Sequence, residues 1–105
     1  MFGDLFGDME AKQAALKEKL AQLTVEEEVG DGAVRITANG NREITNVQLD
    51  RTKLDPEDLE QLEDLLLVGI NRVLARAAET EAAETESLLK DMLPPGMGDM
   101  GNLFG

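Results

Sequence analysis

The chain reads as an α+β fold: an N-terminal helix, a three-stranded antiparallel sheet and a long C-terminal helix, assembled as a dimer. Three observations carry that prediction. Short apolar alternations recur three times between positions 24 and 50, separated by Gly30-Asp31-Gly32 and Asn39-Gly40. A helical periodicity begins abruptly after Leu54-Asp55-Pro56. That helix then continues well past what so small a sheet can cover.

The first helix follows from Phe2, Phe6, Met9, Gln13, Leu16, Leu20 and Leu23, spaced 4, 3, 4, 3, 4 and 3, an a/d seam interrupted only by Gln13. This predicts a helix from about Asp4 to Leu23, with Gly3 and Gly7 weakening its first turn. Its seam suits either its own sheet or a partner helix.

Strand chemistry takes over at Thr24 to Val29, where Val25 and Val29 face one way and Glu26 and Glu28 the other. After Gly30-Asp31-Gly32, Val34, Ile36 and Ala38 share a face opposite Arg35 and Thr37. Asn39-Gly40 is expected to supply the positive φ angles of a tight turn. Thr45, Val47 and Leu49 then extend the apolar side, because a loop of two or four residues preserves the parity. One oily face results, and it needs a cover.

Asp55 as N-cap, Pro56 at the first helical position, and Leu54 and Leu59 as a hydrophobic staple predict that the second helix starts at Pro56. It should run to about Met92, before Pro94-Pro95-Gly96, a length of roughly 55 Å against about 20 Å for strands this short. Leu59, Leu62, Leu66, Ile70, Val73 and Ala77 form a stripe for the sheet. Leu65, Leu67, Val68 and Leu74 widen it beyond one surface, so these four are the expected dimer interface. Residues 1–93 are thus one domain, and 94–105, rich in Gly, Met and Pro, a flexible tail.

Composition narrows the function. Neither Cys nor His occurs, and the one serine, Ser87, sits in an acidic helix segment without a base, so nucleophilic catalysis lacks its usual members. Disulfides and thiolate metal sites are excluded, no cofactor motif occurs, and the carboxylates in Glu26-Glu27-Glu28, Glu57-Asp58 and Glu63-Asp64 point apart as neighbours do. The longest apolar run, Leu65 to Ile70, is too short for a bilayer, and the N-terminus lacks the basic start of a signal peptide. A cytoplasmic protein with no membrane and no small-molecule substrate is expected.

The net charge of -12 is unevenly spread. Residues 1–31 carry three Lys against eight acids and residues 55–105 three basic residues against twelve, whereas residues 32–54 hold Arg35, Arg42, Arg51 and Lys53 against only Glu43 and Asp50. The sheet is the least acidic part of the chain. If a polyanion is bound, those four residues or Lys12, Lys17 and Lys19 of the first helix are the electrostatic candidates.

The combination Gly32-x-Val34-x-Ile36-x-x-Asn39-Gly40, Ile44-x-x-Val47-x-Leu49-Asp50, Leu54-Asp-Pro-Glu57-Asp58 and Leu62-Glu63-Asp64-Leu65 resembles the YbaB/EbfC family of bacterial nucleoid-associated proteins. The middle block is the specific part, and the ends match in composition. The resemblance implies a small cytoplasmic homodimer, located at the nucleoid, that binds double-stranded DNA with little sequence preference, alters its conformation and influences gene expression. It implies no enzyme activity, and long helices projecting from a dimeric body. The rival expectation is an acidic adaptor that contacts DNA replication or repair proteins and has negligible DNA affinity of its own.

Overall fold

The structure, a computed structural model, describes residues 2–92, with side chains from 7 to 91. The expected tail at 94–105 and the side chains of Phe2 and Phe6 lie outside the described residues. The element order is α1 (Phe2–Gln22), β1 (Thr24–Val29), β2 (Val34–Asn39), β3 (Ile44–Leu49), a 3-10 turn at Arg51–Lys53, and α2 (Leu59–Met92). The α+β architecture is as the sequence predicts.

The sheet is an antiparallel meander in the order β1-β2-β3. Val34 pairs with Leu49 and Ile36 with Val47, as the predicted parity requires, but a bulge between Thr37 and Ala38 sets Ile44 rather than the expected Thr45 opposite Ala38, because the extra residue shifts the alternation by one. Gly30, Asp31 and Gly32 all take positive φ in the first turn. The second turn differs from its prediction. Gly40 is not among the positive-φ residues; Arg42 is, at 63°, in a four-residue loop.

Asn39 organises that loop. Its buried side chain accepts from the amides of Asn41 (2.9 Å) and Glu43 (3.2 Å) and donates to the Glu43 carboxylate at 3.2 Å. Gly40 is needed for close approach. Its amide donates to the carbonyls of Leu20 (2.8 Å) and Leu23 (3.0 Å), and a Cβ placed there would lie 2.9 Å from the Leu20 oxygen. Asn41 adds a bond to the Lys17 carbonyl. The turn therefore caps the carbonyl end of α1.

The N-terminal boundary of α2 also moves. Asp55 accepts from the Glu57 amide and its carbonyl from the Asp58 amide, so Pro56 occupies a turn rather than the first helical position. Asp58 takes over as N-cap, accepting from Gln61 N at 3.0 Å, and the helix starts at Leu59.

The core lies between α2 and the first two strands. Val29, Val34, Ile36, Ala38, Val73 and Ala77 are buried, with Val25, Leu62, Leu65, Leu66, Ile70 and Leu74 packed around them. Gly69 allows the approach, since a Cβ there would lie 2.8 Å from Ile36 Cδ1. Arg76 ties the helix to β1, donating to the Glu26 carbonyl and lying 3.4 Å from the Glu27 carboxylate.

β3 has no such cover. Every residue in it is exposed, Val47 at 44% and Leu49 at 46%. Leu59, expected on the sheet, is 64% exposed beyond the strands' end. The seam of α1 instead meets the far half of α2: Leu20 is buried, Leu16 lines the groove between the helices with Leu88, and Met9 stays exposed. Within the chain the seam thus meets α2 rather than the expected sheet, and much of α1 remains exposed. The radius of gyration, 19.4 Å, compares with about 13 Å for a compact chain of this size, because α2 runs on past the sheet.

Candidate nucleic-acid interface

A surface that grips duplex DNA needs cations free to meet phosphate. All seven candidate residues are exposed. Their partners divide them.

Three are neutralised by the chain's own carboxylates. Lys19 on α1 lies 2.6 Å from Glu84 of α2, and Arg42 in the β2–β3 turn lies 3.4 Å from Glu81. Arg35, on the sheet face away from α2, sits between Glu26 and Glu28 of β1 at 3.2 and 2.5 Å. Among the described residues, Lys12, Lys17, Arg51 and Lys53 have no ion-pair partner. Lys53 instead donates to the Asp31 carbonyl at 2.8 Å, holding its ammonium beside the first hairpin turn.

The structure thus gathers the candidates at two ends of the sheet. The Asn41 side chain bonds the Lys17 backbone carbonyl, which brings the α1 backbone at Lys17 to the β2–β3 turn that carries Arg42. Lys12 and Lys19 line the neighbouring groove between the two helices, with Glu84 and Asp91. At the opposite end, Gly32, Arg35, Gln48, Leu49, Asp50 and Arg51 line an open recess of about 460 Å³, and Lys53 stands next to it. Six-residue strands put roughly 20 Å between the two groups. No single patch contains all seven.

Local backbone chemistry shapes the second end. Asp50 accepts from both the amide and the hydroxyl of Thr52, at 3.0 and 2.6 Å, which caps the 3-10 turn carrying Arg51 and Lys53. Those two hydrogen bonds, with help from the charge of Lys53, hold the Asp50 carboxyl below its ordinary value. It stays ionised, and offsets part of the positive charge around it.

Sequence reasoning named Asp50 as a charge and a motif residue but missed its capping role, and it missed the pairing of Glu26 and Glu28 with Arg35. The alternation of Glu26, Arg35 and Glu28 on one sheet face was a usable signal for the latter, once the strands were in register. Of the expected interface residues, Leu67 and Val68 point away from the core at 62% and 41% exposure, whereas Leu65 and Leu74 are half-buried against it. Among the described residues no group of three or more Asp and Glu is placed to hold a metal ion, and no helix is long and apolar enough to cross a membrane.

Comparison with known proteins places this arrangement. The sequence profile of the YbaB/EbfC DNA-binding family matches residues 3–92. A nucleoid-associated protein of Moorella thermoacetica is 39% identical over 86 residues, covering 82% of this chain and 83% of its own. One from Akkermansia muciniphila is 43% identical over 91 residues, covering 86% and 88%. The crystal structure of the uncharacterized protein HP0035 from Helicobacter pylori superposes with a TM-score of 0.74 at 25% identity, covering 84% of this chain and 92% of that one.

Proposed function

This chain belongs to the YbaB/EbfC DNA-binding family, and from that premise we propose that it is a homodimer that binds double-stranded DNA at the nucleoid with little sequence preference and alters its conformation. The family is one of DNA-binding proteins rather than enzymes. An adaptor without DNA affinity finds no support among the relatives, which are named as nucleoid-associated proteins.

The observation that carries the contact is the pair Arg51 and Lys53. They stand on one short capped turn, exposed, and with no carboxylate at ion-pair distance among the described residues. A dimer presents the pair twice. The chain has only three aromatics, all Phe, so stacking on bases is poorly served and backbone phosphate is the recognised group.

Dimerisation is supported by the uncovered apolar surface. Val47 and Leu49 of β3, with Leu59, Leu67 and Val68 of α2, are all exposed on a chain that is otherwise strongly charged. A second copy would cover what α2 leaves open.

Mobility shift of a duplex at increasing salt tests the reading. Four phosphate contacts per dimer predict a log-log slope of about -3.6 and a loss of roughly 100-fold in affinity between 50 and 200 mM salt. Replacing Arg51 and Lys53 with Glu should abolish the shift. Absence of any retardation at low salt and micromolar protein refutes it.

A further inference from the structure

Arg35 differs from the other candidate cations in being held by two carboxylates at once. The antiparallel register sets Glu28 opposite Arg35 and Glu26 opposite Thr37. Residues i and i+2 of a strand share a face, so the two glutamates flank the guanidinium from one neighbouring strand. Arg35 Nε lies 3.2 Å from Glu26 Oε1, and a terminal nitrogen 2.5 Å from Glu28 Oε1. Two negative charges on one positive leave this trio negative.

The same arginine lines the recess with Gly32, Gln48 and Arg51. Released from the glutamates, Arg35 and Arg51 would offer two forked donor sets suited to phosphate oxygens. With the glutamates in place, an approaching phosphate meets carboxylate first.

We propose that Glu26 and Glu28 set the affinity of this chain for duplex DNA by competing with backbone phosphate for Arg35. The inference rests on the DNA-binding reading and adds the residues that hold such binding down. In the intact chain the two carboxylates hold Arg35 back from phosphate, but only narrowly. Arg35, Glu26 and Glu28 are each nearly half exposed, at 45%, 49% and 47% for their side chains, and ion pairs at such exposure are weakly held and screened by salt. Once Arg51 and Lys53 have landed on a duplex, the next phosphate reaches Arg35 at high effective concentration. Neutralising the glutamates therefore lets Arg35 add a third contact to those two.

Duplex affinity and its salt slope, measured for the intact chain and for Glu26→Gln/Glu28→Gln, test the proposal. The variant should bind roughly tenfold more tightly at about 50 mM salt, with a slope steeper by about 1.8 for two freed arginines per dimer. Each single substitution should give part of the gain. Glu79→Gln/Glu86→Gln removes the same charge from the far half of α2, away from the candidate cations, and should change affinity far less. Adding Arg35→Gln to the double variant should return binding to the original level. Equal gains in both double variants, or a gain that survives loss of Arg35, overturn the proposal. So does unchanged affinity in Glu26→Gln/Glu28→Gln while the intact chain binds. Failure of every form to bind at low salt overturns the DNA-binding reading itself, and this inference with it.

Discussion

At Gly40 the backbone of the β2–β3 turn touches the end of α1 with no room for a side chain. The nearest obstacles to a Cβ are the Leu20 carbonyl oxygen and Cα as well as a Leu20 methyl, so rotation of one side chain cannot relieve the clash. Gly40→Ala should therefore destabilise by about 1–3 kcal/mol, a drop of roughly 5–15 °C in melting temperature followed by circular dichroism. Sequence reasoning located this turn from Asn39-Gly40 but assigned the glycine a positive φ that Arg42 carries instead. The reason is physical. Dipeptide preferences describe the local chain, whereas the requirement at Gly40 comes from a helix that ends some twenty residues earlier. Asn39 is a similar case, a turn former by type whose side chain closes its own loop with three hydrogen bonds.

Among the elements, α2 was the most legible, since its periodicity persists for many turns and its end was expected at Met92. Its start was not, because Asp55-Pro56-Glu57-Asp58 contains two residues able to cap, and the sequence does not rank them. Asp58→Ala should cost about 1 kcal/mol, read as a lower urea midpoint at unchanged m-value, while Asp55→Ala should cost less because it removes only a turn contact. The candidate site was legible by residue type alone. Which cations remain free depends on Lys19 meeting Glu84, Arg42 meeting Glu81 and Arg35 meeting two glutamates across a strand, and such partners are fixed by tertiary packing. Adjacent charges in the sequence gave no hint of the first two pairs.

At the scale of the whole molecule, the width of the apolar stripe on α2 predicted another copy, and the structure adds an uncovered strand to that argument. Leu65 and Leu74 pack within the subunit, so Leu67 of α2 and Val47 of β3 are better probes of the proposed interface. Val47→Glu/Leu67→Glu leaves the core untouched. It should sediment at micromolar concentration as a species of 11.4 kDa with unchanged helix content, whereas the unmodified chain sediments at twice that mass. Unmodified protein already at 11.4 kDa would refute the pairing.

The bare third strand has one more consequence. An edge with unpaired backbone groups and valine and leucine side chains is a template for indiscriminate stacking of β-structure. Neither proline nor lysine guards it, since Ile44–Leu49 contains no charged residue at all. Mutual repulsion among acidic molecules at a net charge of -12 opposes such stacking. The acidity that opposes a polyanion at long range is thus also a colloidal safeguard, one that high ionic strength weakens.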